Sequence, residues 1–173
     1  MINIVLLEPE KPDNVGNIGR TCVCTKSVLH LIYPLGFQMT RSKIHHAGLD
    51  YWERLEKYTY DNFFDFLNKN NFTYEGNKIK QGKNKLYFAS TKSSKSYTDV
   101  NFKKDDYIIF GKESAGIPES ILKENEEYCI RIPMNQNERS LNLSNSVAII
   151  LYEALRQNNF FELQQKGKFI IKN

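Results

Sequence analysis

Residues 2–33 read INIVLLEPEKPDNVGNIGRTCVCTKSVLHLIY, and this stretch decides the fold class. Ile2–Leu7 is a short apolar run closed by Glu8 and Pro9, the pattern of a buried strand. The turn-forming Pro12-Asp13-Asn14 then opens a helix expected over Gly16 to Ser27. Leu29–Tyr33 is a second apolar run, stopped by Pro34 and Gly36. Strand, helix and strand in succession predict an α/β domain with a mostly parallel sheet flanked by helices on both faces.

The pattern continues outward from this unit. Arg41–Ala47 is expected as a short helix ending at Gly48. Phe63, Phe64 and Leu67 recur at helical spacing after Asp61, a candidate N-cap. Asn70–Asn84 is rich in Asn, Lys and Gly and reads as a surface loop. Leu86–Ala89, Tyr107–Phe110 and Tyr128–Ile132 are three further strands. A last helix is expected from about Asn142 to Arg156. It is apolar around most of its girth: Leu143, Val147, Ile150, Leu151 and Ala154 form one stripe, and Ile149 and Tyr152 lie partly off it. Such a helix needs cover on more than one side, which points to a second subunit. No repeat or linker divides the chain, so residues 1–173 are expected as one domain, with about the last 15 residues a tail.

Composition narrows the class. The chain is 40% hydrophobic and 25% charged, with a net charge of +4, as a globular and mildly basic protein would be. No run is long and apolar enough to suggest a membrane span, and the start reads as a strand rather than a signal peptide. Three cysteines, Cys22, Cys24 and Cys129, make no disulfide framework, so a cytoplasmic location is expected. Cys22-x-Cys24 lacks a second ligand pair at usable spacing, and no metal is expected. Between Lys69 and Lys95 the only acid among seven lysines is Glu75. That stretch fits a solvated loop and an RNA-contacting surface equally well.

Three segments carry the chemistry, each after a strand, where ligands of open α/β sheets sit. The first is Pro12–Arg20, with glycines and a helix start that favour anionic groups. Its spacing does not match a dinucleotide fingerprint. The second is FGKESAGIP, Phe110–Pro118, in which two glycines flank Glu113. The third runs from Ile130 through Arg139 to Ser146. Ser140 or Asn142 can cap the last helix, and more hydroxyl and amide groups crowd its first turn than a cap requires.

Together these segments resemble the SPOUT superfamily of RNA methyltransferases, and within it the small tRNA (cytidine/uridine-34-2′-O)-methyltransferases. The likeness is carried by NIVLLEPEKPDNVGNIGRTC, GFQ, AGLDY, FGKESAGIP and RIPMNQNERSLNLSNSVAIILYEA, and spans Ile2 to about Arg156. The resemblance implies an α/β domain with a C-terminal trefoil knot, a homodimer packed through its first and last helices, and S-adenosylmethionine as methyl donor, released as S-adenosylhomocysteine. It implies donor contacts at Ala89, Ser90, Gly111, Ile132, Ser140 and Leu141, and catalytic places for Arg20, Glu113 and Asn142. The tRNA anticodon stem-loop would meet Asn14, Asn17, Arg20, Arg41, His46 and Arg139. Arginine stays protonated at neutral pH, so Arg20 is expected to bind phosphate and steady the developing alkoxide. Glu113 is then an orienting group or a route for the proton. Two departures stand out: a longer Asn70–Asn84 loop, and Gly19 where an aliphatic residue is expected. The alternatives are the same chemistry at another tRNA position or on ribosomal RNA, and an RNA-binding homologue without catalysis. Tyr51 and Trp52 read as a base-stacking pair or as core.

Overall fold

In a computed structural model, residues 1–38 and 51–168 are described. In chain order the elements are β1 (Asn3–Leu7), α1 (Pro12–Thr25), β2 (Val28–Ile32), β3 (Lys57–Tyr60), α2 (Phe63–Lys69), β4 (Thr73–Glu75) and β5 (Lys78–Lys80). There follow β6 (Leu86–Ala89), β7 (Tyr107–Phe110), α3 (Glu119–Glu124), β8 (Cys129–Ile130) and α4 (Leu143–Gln157). The main sheet has six strands in the order β3-β2-β1-β7-β6-β8, and every pairing within it is parallel.

The continuous apolar runs are explained by cover on both faces. All residues of β1 and β2 are buried. Ile4 and Leu6 face one layer, in which α1 contributes Val15, Ile18 and Cys22, and α4 contributes Val147, Ile150, Leu151 and Ala154. Val5 and Leu7 face the other layer, with Phe63, Phe66 and Leu67 of α2 and Ile121 and Leu122 of α3. From β1 the chain winds outward to β2 and β3 on one side, then crosses to β6 on the other, returns inward to β7 beside β1, and passes outward again to β8. The β1–β7 boundary is therefore the point where the winding reverses, and a crevice opens beyond the strand ends there.

The structure revises several expectations. Helix α1 begins at Pro12, which occupies the first turn, where its missing N–H costs nothing. The cap of α2 is Asn62, not Asp61; its side chain accepts from the Asp65 N–H. Strand β3 was not foreseen: it is an edge strand in which only Tyr60 is fully buried, so no apolar run announces it. The expected Asn70–Asn84 loop holds the antiparallel hairpin β4–β5. Buried Asn125 pins that hairpin, accepting from the Ile79 N–H at 2.9 Å and donating to the Asn77 carbonyl at 2.7 Å. Glu75 stands opposite Lys78 across it. The expected helix at Arg41–Ala47 lies outside the described residues.

Gly19 also has a packing reason. A Cβ there would come within 3.1 Å of both Leu55 and Trp52, so the position is filled from outside by those side chains. Tyr51 is core as well; its hydroxyl donates to the Gly16 carbonyl at 2.6 Å. After α4, Asn159, Phe160 and Phe161 adopt left-handed φ of 52°, 56° and 48°. That turn folds Phe160, Phe161 and Leu163 back against the α1–α4 layer, so the first part of the tail is docked. No helix among the described residues is long and apolar enough to cross a membrane.

Candidate active site

Three loops leave the carboxyl ends of β1, β7 and β8 and meet over the crevice. They enclose a cavity of about 390 Å³, within the range of small-molecule sites. The Ala89-Ser90 end of β6 completes its floor, and Ile117, Leu122, Ile130 and Ile150 supply apolar walls.

A relay of side chains joins the loops. Asn142 caps α4: its side-chain oxygen accepts from the Ser144 and Asn145 N–H groups. Its amide nitrogen donates to Asn14 Oδ1 at 3.0 Å, and Asn14 in turn donates to Glu113 Oε1 at 2.7 Å. The same carboxylate accepts the backbone N–H groups of Glu10, at 2.8 Å, and Lys11, at 3.3 Å. Glu113 thus ties the second loop to the start of α1, where the helix dipole favours an anion. Three donors on one carboxylate make a rigid joint of charge-assisted bonds.

The second loop is shaped by its glycines. A Cβ on Gly111 would collide with the backbone of Gly116 and Ile117, so only glycine allows the loop to close on itself there. Gly116 has a φ of +72°, in the left-handed region that glycine enters freely. Its N–H donates to the Lys112 carbonyl at 2.8 Å. Lys112 reaches Glu8 at 2.9 Å, a bond that raises the lysine above its ordinary range.

Every donor contact expected from sequence lies on this cavity: Ala89, Ser90, Gly111, Ile132, Ser140 and Leu141. Glu113, Asn142, Asn14 and Arg139 line it too. Asn14 was expected among the RNA contacts, but it is 5% exposed and both ends of its amide are engaged. Its place is that of a strut between loops. Arg139 is exposed and donates to the Ser114 carbonyl at 3.0 Å. Arg20 and Asn17 are exposed on α1 and do not line the cavity. Arg20 has no hydrogen bond or ion pair among the described residues, which leaves its guanidinium fork open. Arg41 and His46 lie outside the described residues. Glu10 and Ser114, a bonded pair at the rim, escaped the sequence reading because nothing local marks a contact between residues so far apart.

The apolar walls, the hydroxyls of Ser90, Ser140 and Ser146, and the glycine-closed loop fit a ligand with a flat hydrophobic part and polar ends, as a nucleoside donor such as S-adenosylmethionine has. The cysteines lie elsewhere: Cys22 is fully buried, which pushes its thiol up to about 12, while Cys24 is exposed. Among the described residues no cluster of His, Cys, Asp and Glu could hold a metal ion.

The family model described as the SpoU rRNA Methylase family matches residues 1–152. A tRNA (cytidine(34)-2'-O)-methyltransferase of Saccharophagus degradans is 41% identical over 161 residues, covering 92% of this chain and 97% of the relative. A protein of Listeria monocytogenes, provisionally named for the same activity, is 44% identical over 170 residues, covering 96% and 94%. A solved structure described as giving structural insights into the 2-OH methylation of C/U34 on tRNA superposes with a TM-score of 0.80 at 36% identity, covering 92% of this chain and 97% of its own.

Proposed function

Given that the chain belongs to the SpoU rRNA methylase family, we propose that it transfers a methyl group from S-adenosylmethionine to the ribose 2′-hydroxyl of nucleotide 34 of tRNA. The observation that carries this reading is the relay Asn142–Asn14–Glu113, which locks the three chemistry-bearing loops around one cavity. The relatives named for cytidine-34 methylation, matched over nearly their whole length, supply the substrate.

When bound, S-adenosylmethionine supplies an electrophilic methyl on a sulfonium, and S-adenosylhomocysteine is the leaving product. Ala89, Ser90, Gly111, Ile132, Ser140 and Leu141 hold the donor. The protein's main task is alignment of oxygen, carbon and sulfur, an effect worth up to about 7–11 kcal/mol in model systems. Arg20, with its fork open, binds a phosphate of the tRNA and steadies the ribose oxygen as its proton passes to solvent. Glu113 is engaged by three N–H donors, which favours the orienting role over carriage of the proton. Arg139 and Asn17 border the path of the anticodon stem-loop.

The assembly belongs to the same proposal: a cytoplasmic homodimer packed through α1 and α4, with the C-terminal segment threaded as a trefoil knot. Ile149 is 37% and Tyr152 48% exposed on α4, an apolar edge that a second copy would cover. Deletion of the encoding gene should remove 2′-O-methylation at position 34 from tRNA, as mapped by mass spectrometry, and the wild-type chain should restore it. Loss of the modification at another position, or in ribosomal RNA, would redirect the substrate. Unchanged methylation everywhere would overturn the activity.

A further inference from the structure

The Glu113 relay holds the inner half of the second loop; its outer half is held by a different pair. Ser114 is exposed at the rim. Its hydroxyl donates to Glu10 Oε1 at 2.7 Å and its backbone N–H donates to Glu10 Oε2 at 2.8 Å. Its carbonyl accepts from Arg139 at 3.0 Å, the residue immediately before Ser140 and Leu141. Ser114 therefore joins all three loops a second time, by contacts that share no atom with the relay.

The pair is reciprocal. The backbone N–H of Glu10 donates to Glu113, while the carboxylate of Glu10 takes the N–H of Ser114. Each carboxylate ties down the loop that carries the other. Glu10 is itself braced from behind: the Gly36 N–H donates to the Pro9 carbonyl at 2.9 Å, and a Cβ on Gly36 would lie 2.7 Å from Glu10 Cα. Its position is thus set by packed backbone, so it can impose a position on Ser114.

We propose that Glu10 is a positioning residue for methyl-donor binding, one that clasps Ser114 and holds the second loop in the shape that closes on the donor. The inference rests on the methyl-donor reading of the cavity. Glu10 touches none of the reacting atoms; it acts through Ser114 on its neighbours Gly111, Glu113 and Ala115, which line the site. The loop has almost no regular structure of its own, so without the clasp its ordering would be charged against binding. Preorganisation by Glu10 therefore appears in donor affinity. The charged groups around Glu10 are Lys11, Lys112, Glu8, Glu113 and Arg139. Hydrogen bonds from the Ser114 hydroxyl and N–H hold the Glu10 carboxyl below its ordinary range, with Lys112 and Lys11 adding to the effect. The clasp is complete above the usual carboxylate range and opens as pH falls through that lowered value.

The test compares wild type, Glu10→Gln, Ser114→Ala and the double variant as full-length proteins. Calorimetry gives the affinity for S-adenosylhomocysteine, and amide hydrogen exchange of the ligand-free protein reports the loop. Glutamine places an NH2 against one of two donors, so Glu10→Gln should weaken S-adenosylhomocysteine about ten-fold and speed exchange at Ser114. At saturating donor its kcat should stay within about two-fold of wild type, so the effect falls on donor KM. Ser114→Ala keeps the backbone bond, so it should weaken binding only about three-fold and add little in the Glu10→Gln background. Binding should weaken in acid for wild type, and this dependence should flatten in Glu10→Gln. Wild-type affinity and wild-type exchange in Glu10→Gln would overturn the positioning role, as would full additivity in the double variant. A wild-type protein that binds no S-adenosylhomocysteine would sink the donor reading itself, and the inference with it.

Discussion

Arg20 and Glu113 sit in opposite circumstances: the arginine is exposed and unpaired among the described residues, and the glutamate is held by three donors. That contrast supports the proposed recognition role for the arginine and orienting role for the glutamate. Arg20→Lys keeps the charge but loses the planar fork. It should lower kcat about ten- to a hundred-fold with donor affinity unchanged, in steady-state assays with tRNA; a wild-type kcat would remove Arg20 from this role. A second residue makes a prediction about stability. His30 is 2% exposed, bonded to Tyr60 and Asn3, and burial holds its imidazole down at about 4. The unfolded chain binds this proton near pH 6.5 and the folded chain only near pH 4. The contribution is therefore present above pH 6.5 and is lost as pH falls toward 4, by about 3 kcal/mol. Denaturant unfolding across that window measures it, and an NMR titration of His30 at an ordinary value would contradict it.

At the scale of elements, the strand–helix–strand opening was legible because its signals are local: an apolar run, a turn with Pro12, a second run. The cavity loops were legible as segments for the same reason. Their mutual bonds were not, since Asn142 and Asn14 are 128 residues apart and Glu10 and Ser114 are 104 apart. Strand β3 and the hairpin β4–β5 were hidden by shortness: each has a single buried residue or none, so alternation has nothing to repeat. The hairpin is fixed by Asn125, a polar residue whose burial only the folded chain reveals. Asn142 carries both kinds of information, being a cap read from sequence and a strut seen in the structure. Asn142→Ala should cost about 1 kcal/mol through the lost cap, seen in thermal unfolding. It should also lower methyl transfer more than that loss of stability explains, because Asn14 loses its partner. Equal effects on both would make Asn142 a cap alone.

For the whole molecule, the sheet order places the cavity at the β1–β7 reversal, between the layer of α1 and α4 and that of α2 and α3. Helix α4 therefore does two things: its N-terminus shapes the site and its outer edge exposes Ile149 and Tyr152. In the proposed homodimer the site and the interface share one element. Ile149→Glu with Tyr152→Glu should yield a monomer by sedimentation, with charge replacing an apolar edge. A dimer in that variant would place the interface elsewhere.

The most direct measurement is a crystal structure of the protein soaked with S-adenosylhomocysteine. The ligand is expected between Gly111, Ile132 and Ser140, with the relay from Asn142 through Asn14 to Glu113 intact beside it. Density for the ligand at any other place, or a cavity left empty at saturating concentration, would contradict this expectation.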